Sequence, residues 1–131
     1  MAPTIEIIEI GLIERKIINS SKSEQTYGFF IEPKFKDDGV NLRIHFELIF
    51  PLDNKKHIFC KTVTGFFLEN FNPDYLKNEI ETLSGLVQTS MANTRLLVMQ
   101  EFGKFNFVQM KYFDNYYFID EIKRQIKDLN I

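Results

Sequence analysis

Val40-Asn41-Leu42-Arg43-Ile44-His45-Phe46-Glu47-Leu48-Ile49-Phe50 decides the fold. Val40, Leu42, Ile44, Phe46, Leu48 and Phe50 alternate with Asn41, Arg43, His45 and Glu47, so side chains repeat every second residue, the period of a strand with one buried and one wet face. Upstream, Tyr27, Phe29, Ile31, Pro33 and Phe35 fall on odd positions around Gly28, Glu32 and Lys34, a second strand, and Pro33 suits an edge or a bulge. Asp37-Asp38-Gly39 between them reads as a hairpin turn, in which Asp and Gly tolerate positive φ.

Downstream, Pro51-Leu52-Asp53-Asn54-Lys55 predicts a turn, and His57 to Leu68 returns as a strand apolar on both sides. Phe59, Val63 and Phe67 lie on one side, with Ile58, Cys60, Phe66 and Leu68 on the other. That predicts cover on both faces, one cover being a partner. The segment Ile5 to Ile18 is apolar with a phase slip at Ile7-Ile8, which fits a bulged strand better than an amphipathic helix. A polar loop, Asn19 to Gln25, follows it.

Asn72-Pro73-Asp74 is a helix start: an N-cap, a proline at the first helical position and an acid at the positive end of the dipole. Ile80, Leu83, Val87, Met91, Thr94 and Val98 recur at steps of three or four, with Gly103 as the stop. Ser84-Gly85 is the expected break between a short helix and a longer one. Phe105 to Phe113 alternates as an extended segment, and Asp114 caps a last helix striped by Phe118, Ile122, Ile126 and Leu129. The whole, residues 1–131, reads as a single α+β domain of antiparallel sheet followed by helices, with no repeat or linker.

Composition narrows function by exclusion. Net charge is −2, from 16 basic and 18 acidic residues intermixed along the chain, so no field favours nucleic acid or an anionic membrane. No run reaches the roughly 20 apolar residues of a membrane helix, and the Met1-Ala2-Pro3 start has no secretory pattern. With Cys60 the lone cysteine, no intrachain disulfide can form, and a reducing cytoplasm is the expected compartment. The 14 Phe without Trp supply a large aromatic surface for a core or a partner.

No catalytic or metal constellation emerges, and no cofactor is expected. His57 and Cys60, three apart on a strand, face opposite sides, and Cys60 reads as a core residue. Asp37 and Asp38 are explained by their turn, no glycine-rich phosphate cradle or Gly-x-Ser-x-Gly elbow exists, and the chain is expected not to be an enzyme. Arg95, among Leu96, Leu97 and Val98, is read as a snorkelling surface side chain or an interface residue.

The element order, with Ile58-Phe59-Cys60-Lys61-Thr62-Val63-Thr64-Gly65-Phe66-Phe67 as last strand and Gly103 to Asp114 after the long helix, resembles the SecB family of chaperones. The resemblance covers nearly the whole chain, though Gly103-Lys104-Phe105-Asn106-Phe107 and Leu86-Val87-Gln88-Thr89 lack prolines of the family pattern. It implies a four-stranded antiparallel sheet, a long helix and a C-terminal helix, self-association into a dimer or tetramer, and holding of unfolded polypeptide or of one dedicated protein client in hydrophobic grooves. Phe66, Phe105, Phe107, Val108 and Met110 are the expected client-binding residues, because the last four belong to an apolar connection that ordinarily runs over the surface. Docking to the translocation motor is not implied: Lys61 stands near the expected sheet acid, and the chain closes on Lys127-Asp128-Leu129-Asn130-Ile131 rather than an acidic glycine-containing tail. The competing reading is an interaction module that keeps the fold for oligomerisation with one folded partner.

Overall fold

The computed structural model describes residues 4–19, 26–51, 56–102 and 115–129. Four strands, β1 (Ile5–Asn19), β2 (Thr26–Lys36), β3 (Gly39–Pro51) and β4 (Lys56–Glu69), precede three helices, α1 (Pro73–Asn78), α2 (Ile80–Phe102) and α3 (Asn115–Asp128). All strand pairs are antiparallel and the sheet order is β1-β4-β3-β2, which makes β1 and β2 the edges and seats the two-faced β4 centrally. This is an α+β fold of four-stranded antiparallel sheet, long helix and C-terminal helix.

Register sorts the faces. Leu42 pairs with Phe66, Ile44 with Thr64, Phe46 with Thr62 and Leu48 with Cys60, so even-numbered residues of β3 and β4 share the helix side. Phe29 and Ile31 join them opposite Phe46 and Ile44. Over this face lie Leu83, Val87, Met91 and Val98 of α2 and Ile122 and Ile126 of α3, all buried in one core. Removing a large aliphatic or aromatic side chain from such a core costs about 2–5 kcal/mol.

Several expectations need correcting. The chain breaks at Glu79, with φ −102° and ψ 50°, rather than at Ser84-Gly85. Gly85 runs on inside α2 with open space about it, at only a propensity cost of about 1 kcal/mol. Asp37 and Asp38 alone form the β2–β3 turn, since Lys36 already pairs with Gly39. Gly39 is there because a Cβ would run into the Leu68 carbonyl oxygen of β4, a close approach only glycine permits. β1 carries a second bulge, at Ile13, besides the expected one at Ile8. The N-cap is as read: Tyr75 N–H donates to Asn72 Oδ1 at 2.8 Å. The Gly103 stop, the extended segment at 105–113 and the Asp114 cap lie outside the described residues.

No helix among the described residues is long and apolar enough to cross a membrane.

Candidate interaction surface

The helix α2 packs over β3 and β4 and reaches β1 as well, yet it leaves much of that edge strand open. Ile5, Ile7, Ile10 and Ile17 sit opposite Leu68, Phe66, Thr64 and Ile58, which puts them on the helix side of the sheet. They nevertheless stay open, as do Ile8 and Ile13 at the bulges, and all six isoleucines are between 42% and 61% exposed. Among the described residues of β1, Leu12 alone packs against the core, and an Arg15–Glu101 ion pair ties β1 to the end of α2. Scattered exposed apolar residues are ordinary, but Ile5, Ile7, Ile10 and Ile17 on the same side of one edge strand form a sticky margin.

The opposite sheet face is sealed differently. Gly65 lies between Glu9 of β1 and Arg43 of β3 in register, and the Arg43 guanidinium spans it, donating from Nε and Nη2 to the two Glu9 carboxylate oxygens at 2.9 Å each. Farther along, Lys16 and Lys61 stand over the Phe59 ring at 4.9 and 5.9 Å from its centroid. Lys61 also reaches Glu47 at 3.2 Å. Part of the expected second cover of β4 is therefore supplied by neighbouring strands rather than by a partner. Beside the Arg43–Glu9 pair an open recess of about 680 Å³ is bounded by Ile8, Glu32, Lys34 and Asn41. Both signs of charge line it, and it selects no ligand class.

Of the expected client-binding residues, Phe105, Phe107, Val108 and Met110 lie outside the described residues. Phe66 does not reach the surface: it is 1% exposed, opposite Leu42 in the core, so its expected client contact is corrected to a packing role. With both faces of β4 apolar, its sequence alone cannot say which face the helices cover. The β1 margin, by contrast, was readable as apolar, but its exposure follows from β1 being an edge.

His57 and Cys60 face opposite sides of β4, and among the described residues no group of three or more His, Cys, Asp or Glu gathers to hold a metal. Burial pushes the Cys60 thiol up to about 12, far from a thiolate nucleophile. His45 is taken up by stacking on Phe30, 4.2 Å between centroids, with Nε2 3.3 Å from Glu32. Arg95 is half-buried on α2.

No family model matches the chain, and no curated protein matches it. Among solved structures, the chain aligns with the Mycobacterium tuberculosis Rv1957 SecB-like chaperone in complex with a ChAD peptide from the Rv1956 HigA1 antitoxin. Identity is 17%, the TM-score is 0.27, and the alignment covers 49% of this chain and 50% of that one. The match thus spans about half of that chaperone's length, and at this score it carries no weight for fold or function.

Proposed function

We propose that this chain is a SecB-like chaperone that self-associates through its β1 side and holds unfolded or partly folded polypeptide. The observation that carries the reading is the β1 margin: Ile5, Ile7, Ile10 and Ile17 stand half-open on the helix side of an edge strand. Non-directional burial of such side chains contributes about 1.5–3 kcal/mol apiece, so a paired margin supports a dimer, the unit from which a tetramer is built by a second contact. The client class comes from the sequence resemblance and from the apolar connection carrying Phe105, Phe107, Val108 and Met110. A buried lone thiol suits a reducing cytoplasm.

Aggregation suppression tests it. Stoichiometric protein should keep several unrelated unfolded clients in solution, and Phe107→Asp should weaken holding while leaving circular dichroism and oligomer size unchanged. If Phe107→Asp only lowers the melting temperature, that ring is core and the client surface is wrong. Failure with every unfolded client, together with tight binding of one folded partner, would favour the interaction module instead.

A further inference from the structure

The second edge of the sheet is not open like the first. On β2 the odd-numbered residues turn their backbone groups away from β3, and α3 reaches them with one side chain. Ile31 N–H donates to Gln125 Oε1 at 2.7 Å, and Gln125 Nε2 donates to the Phe29 carbonyl at 2.8 Å. One amide thus supplies the acceptor and donor that a neighbouring strand would present to this edge. Its orientation is fixed, since a flipped amide would set N–H against N–H and oxygen against oxygen. The remaining Nε2 hydrogen goes to Glu121 Oε1 at 3.0 Å, and Glu121 is itself gripped by Arg124. Gln125 is 8% exposed, flanked by Ile122 and Ile126 in the core. Two residues along the same outward row stands Pro33, which has no N–H to offer. The outward Ile31 N–H and Phe29 carbonyl are therefore already taken, and position 33 has no N–H to offer an added strand.

β2 otherwise has what self-pairing needs: a regular register without bulges against β3, and an apolar run Phe29-Phe30-Ile31 whose Phe30 is 42% exposed. A chain with two open edges, each pairing with its own kind, builds an open-ended array, whereas one with a single open edge stops at a pair. We propose that Gln125 closes the β2 edge against a second copy of this chain, so that association runs through the β1 side and does not propagate across the sheet. This rests on the reading of β1 given above.

Two substitutions test it, each read by hydrogen exchange at the Ile31 amide and by sedimentation velocity. Gln125→Leu keeps the volume and loses both bonds; Ile31 should exchange at least tenfold faster, and mass should grow with concentration past the wild-type oligomer. Gln125→Glu is a switchable guard: protonated, the carboxyl replaces the amide as donor and acceptor, and ionised it faces the Phe29 carbonyl without a proton. Its growth should appear on raising pH from roughly 4 to 7, with no such step in wild type. Ile10→Lys separates the two readings: if β1 pairs copies, this variant is smaller than wild type, and adding Gln125→Leu restores a pair. An Ile10→Lys protein of unchanged size overturns the β1 reading, yet Gln125→Leu should still enlarge it by β2 pairing. Wild-type-like exchange at Ile31 in Gln125→Leu, or fast exchange with unchanged mass at 100-fold increasing concentration, overturns the inference about Gln125.

Discussion

The hydroxyls of Thr62 on β4 and Thr94 on α2 meet at 2.7 Å inside the core, both residues being 1% exposed. Thr94 also donates to the Ser90 carbonyl at 2.8 Å, and Ser90 to the Leu86 carbonyl at 2.8 Å. With the Thr94 proton committed within its helix, Thr62 is the donor between the layers. A polar seam thus fixes where α2 lies along the sheet, which apolar contact alone specifies loosely.

Thr62→Val should leave Thr94 short of one donor, and Thr94→Val should strand the Thr62 hydroxyl, the second being the worse loss. Each is expected to lower stability by about 1–3 kcal/mol, the cost of a buried polar group left unpaired. The double valine variant should cost less than the sum of the two. Chemical denaturation of the three variants measures this; strict additivity would mean the two hydroxyls are not coupled.

Gly65→Ala addresses the Arg43–Glu9 crossing. A Cβ at position 65 would sit 3.0 Å from Glu9 Cβ and 3.3 Å from Glu9 Oε1, so β1 must shift or Glu9 must leave its partner. The ion pair is half-exposed and worth about 0–1 kcal/mol. Crowding of the strands should exceed that. Gly65→Ala is therefore expected to lower the melting temperature more than Arg43→Ala does, and the reverse order would put the glycine's importance elsewhere.

At the exit of β4, Asn70 has φ of 63° and donates its N–H to the Asp38 carbonyl at 2.8 Å, tying the strand end to the β2–β3 turn. Asparagine tolerates this left-handed conformation better than most residues, and a β-branched residue tolerates it least. Asn70→Gly should be near neutral, whereas Asn70→Val should cost about 1–2 kcal/mol, read as a shift in denaturation midpoint.

How much of this was legible follows from which signals are local. The alternation from Val40 to Leu48 survives because β3 has a neighbour on each side and the helices on one face, so period and burial coincide. The stripe Leu83, Val87, Met91, Thr94 and Val98 is buried for the same reason. The Ile8 bulge showed as an apolar doublet out of phase, whereas Leu12-Ile13 carried a doublet too but led into Glu14-Arg15-Lys16, which holds no phase to violate. Phe66 was misplaced because β4 alternates apolar with apolar, and only its pairing with Leu42 selects a face. Gln125, between Arg124 and Ile126, looks like any polar residue of an amphipathic helix; its role exists only once β2 is an edge and α3 lies beside it.

Cys60 gives a prediction in pH. Its thiol is fully buried opposite Leu48, and burial raises it from 9.0 to about 12, because the thiolate would lose its hydration. The unfolded chain therefore releases this proton first. Stability from keeping the thiol neutral is fully present below pH 9 and is lost as pH climbs from 9.0 toward 12. Cys60→Ala lacks this titration, so the difference in unfolding free energy between wild type and variant should shrink steadily above pH 9 and stay flat below it. Thiol labelling at pH 8 supplies the direct check: the native protein should react slowly, at the rate of its opening, and denaturant should make the reaction immediate. A native thiol that labels as fast as free cysteine would show that β4 is not covered by α2 at this point.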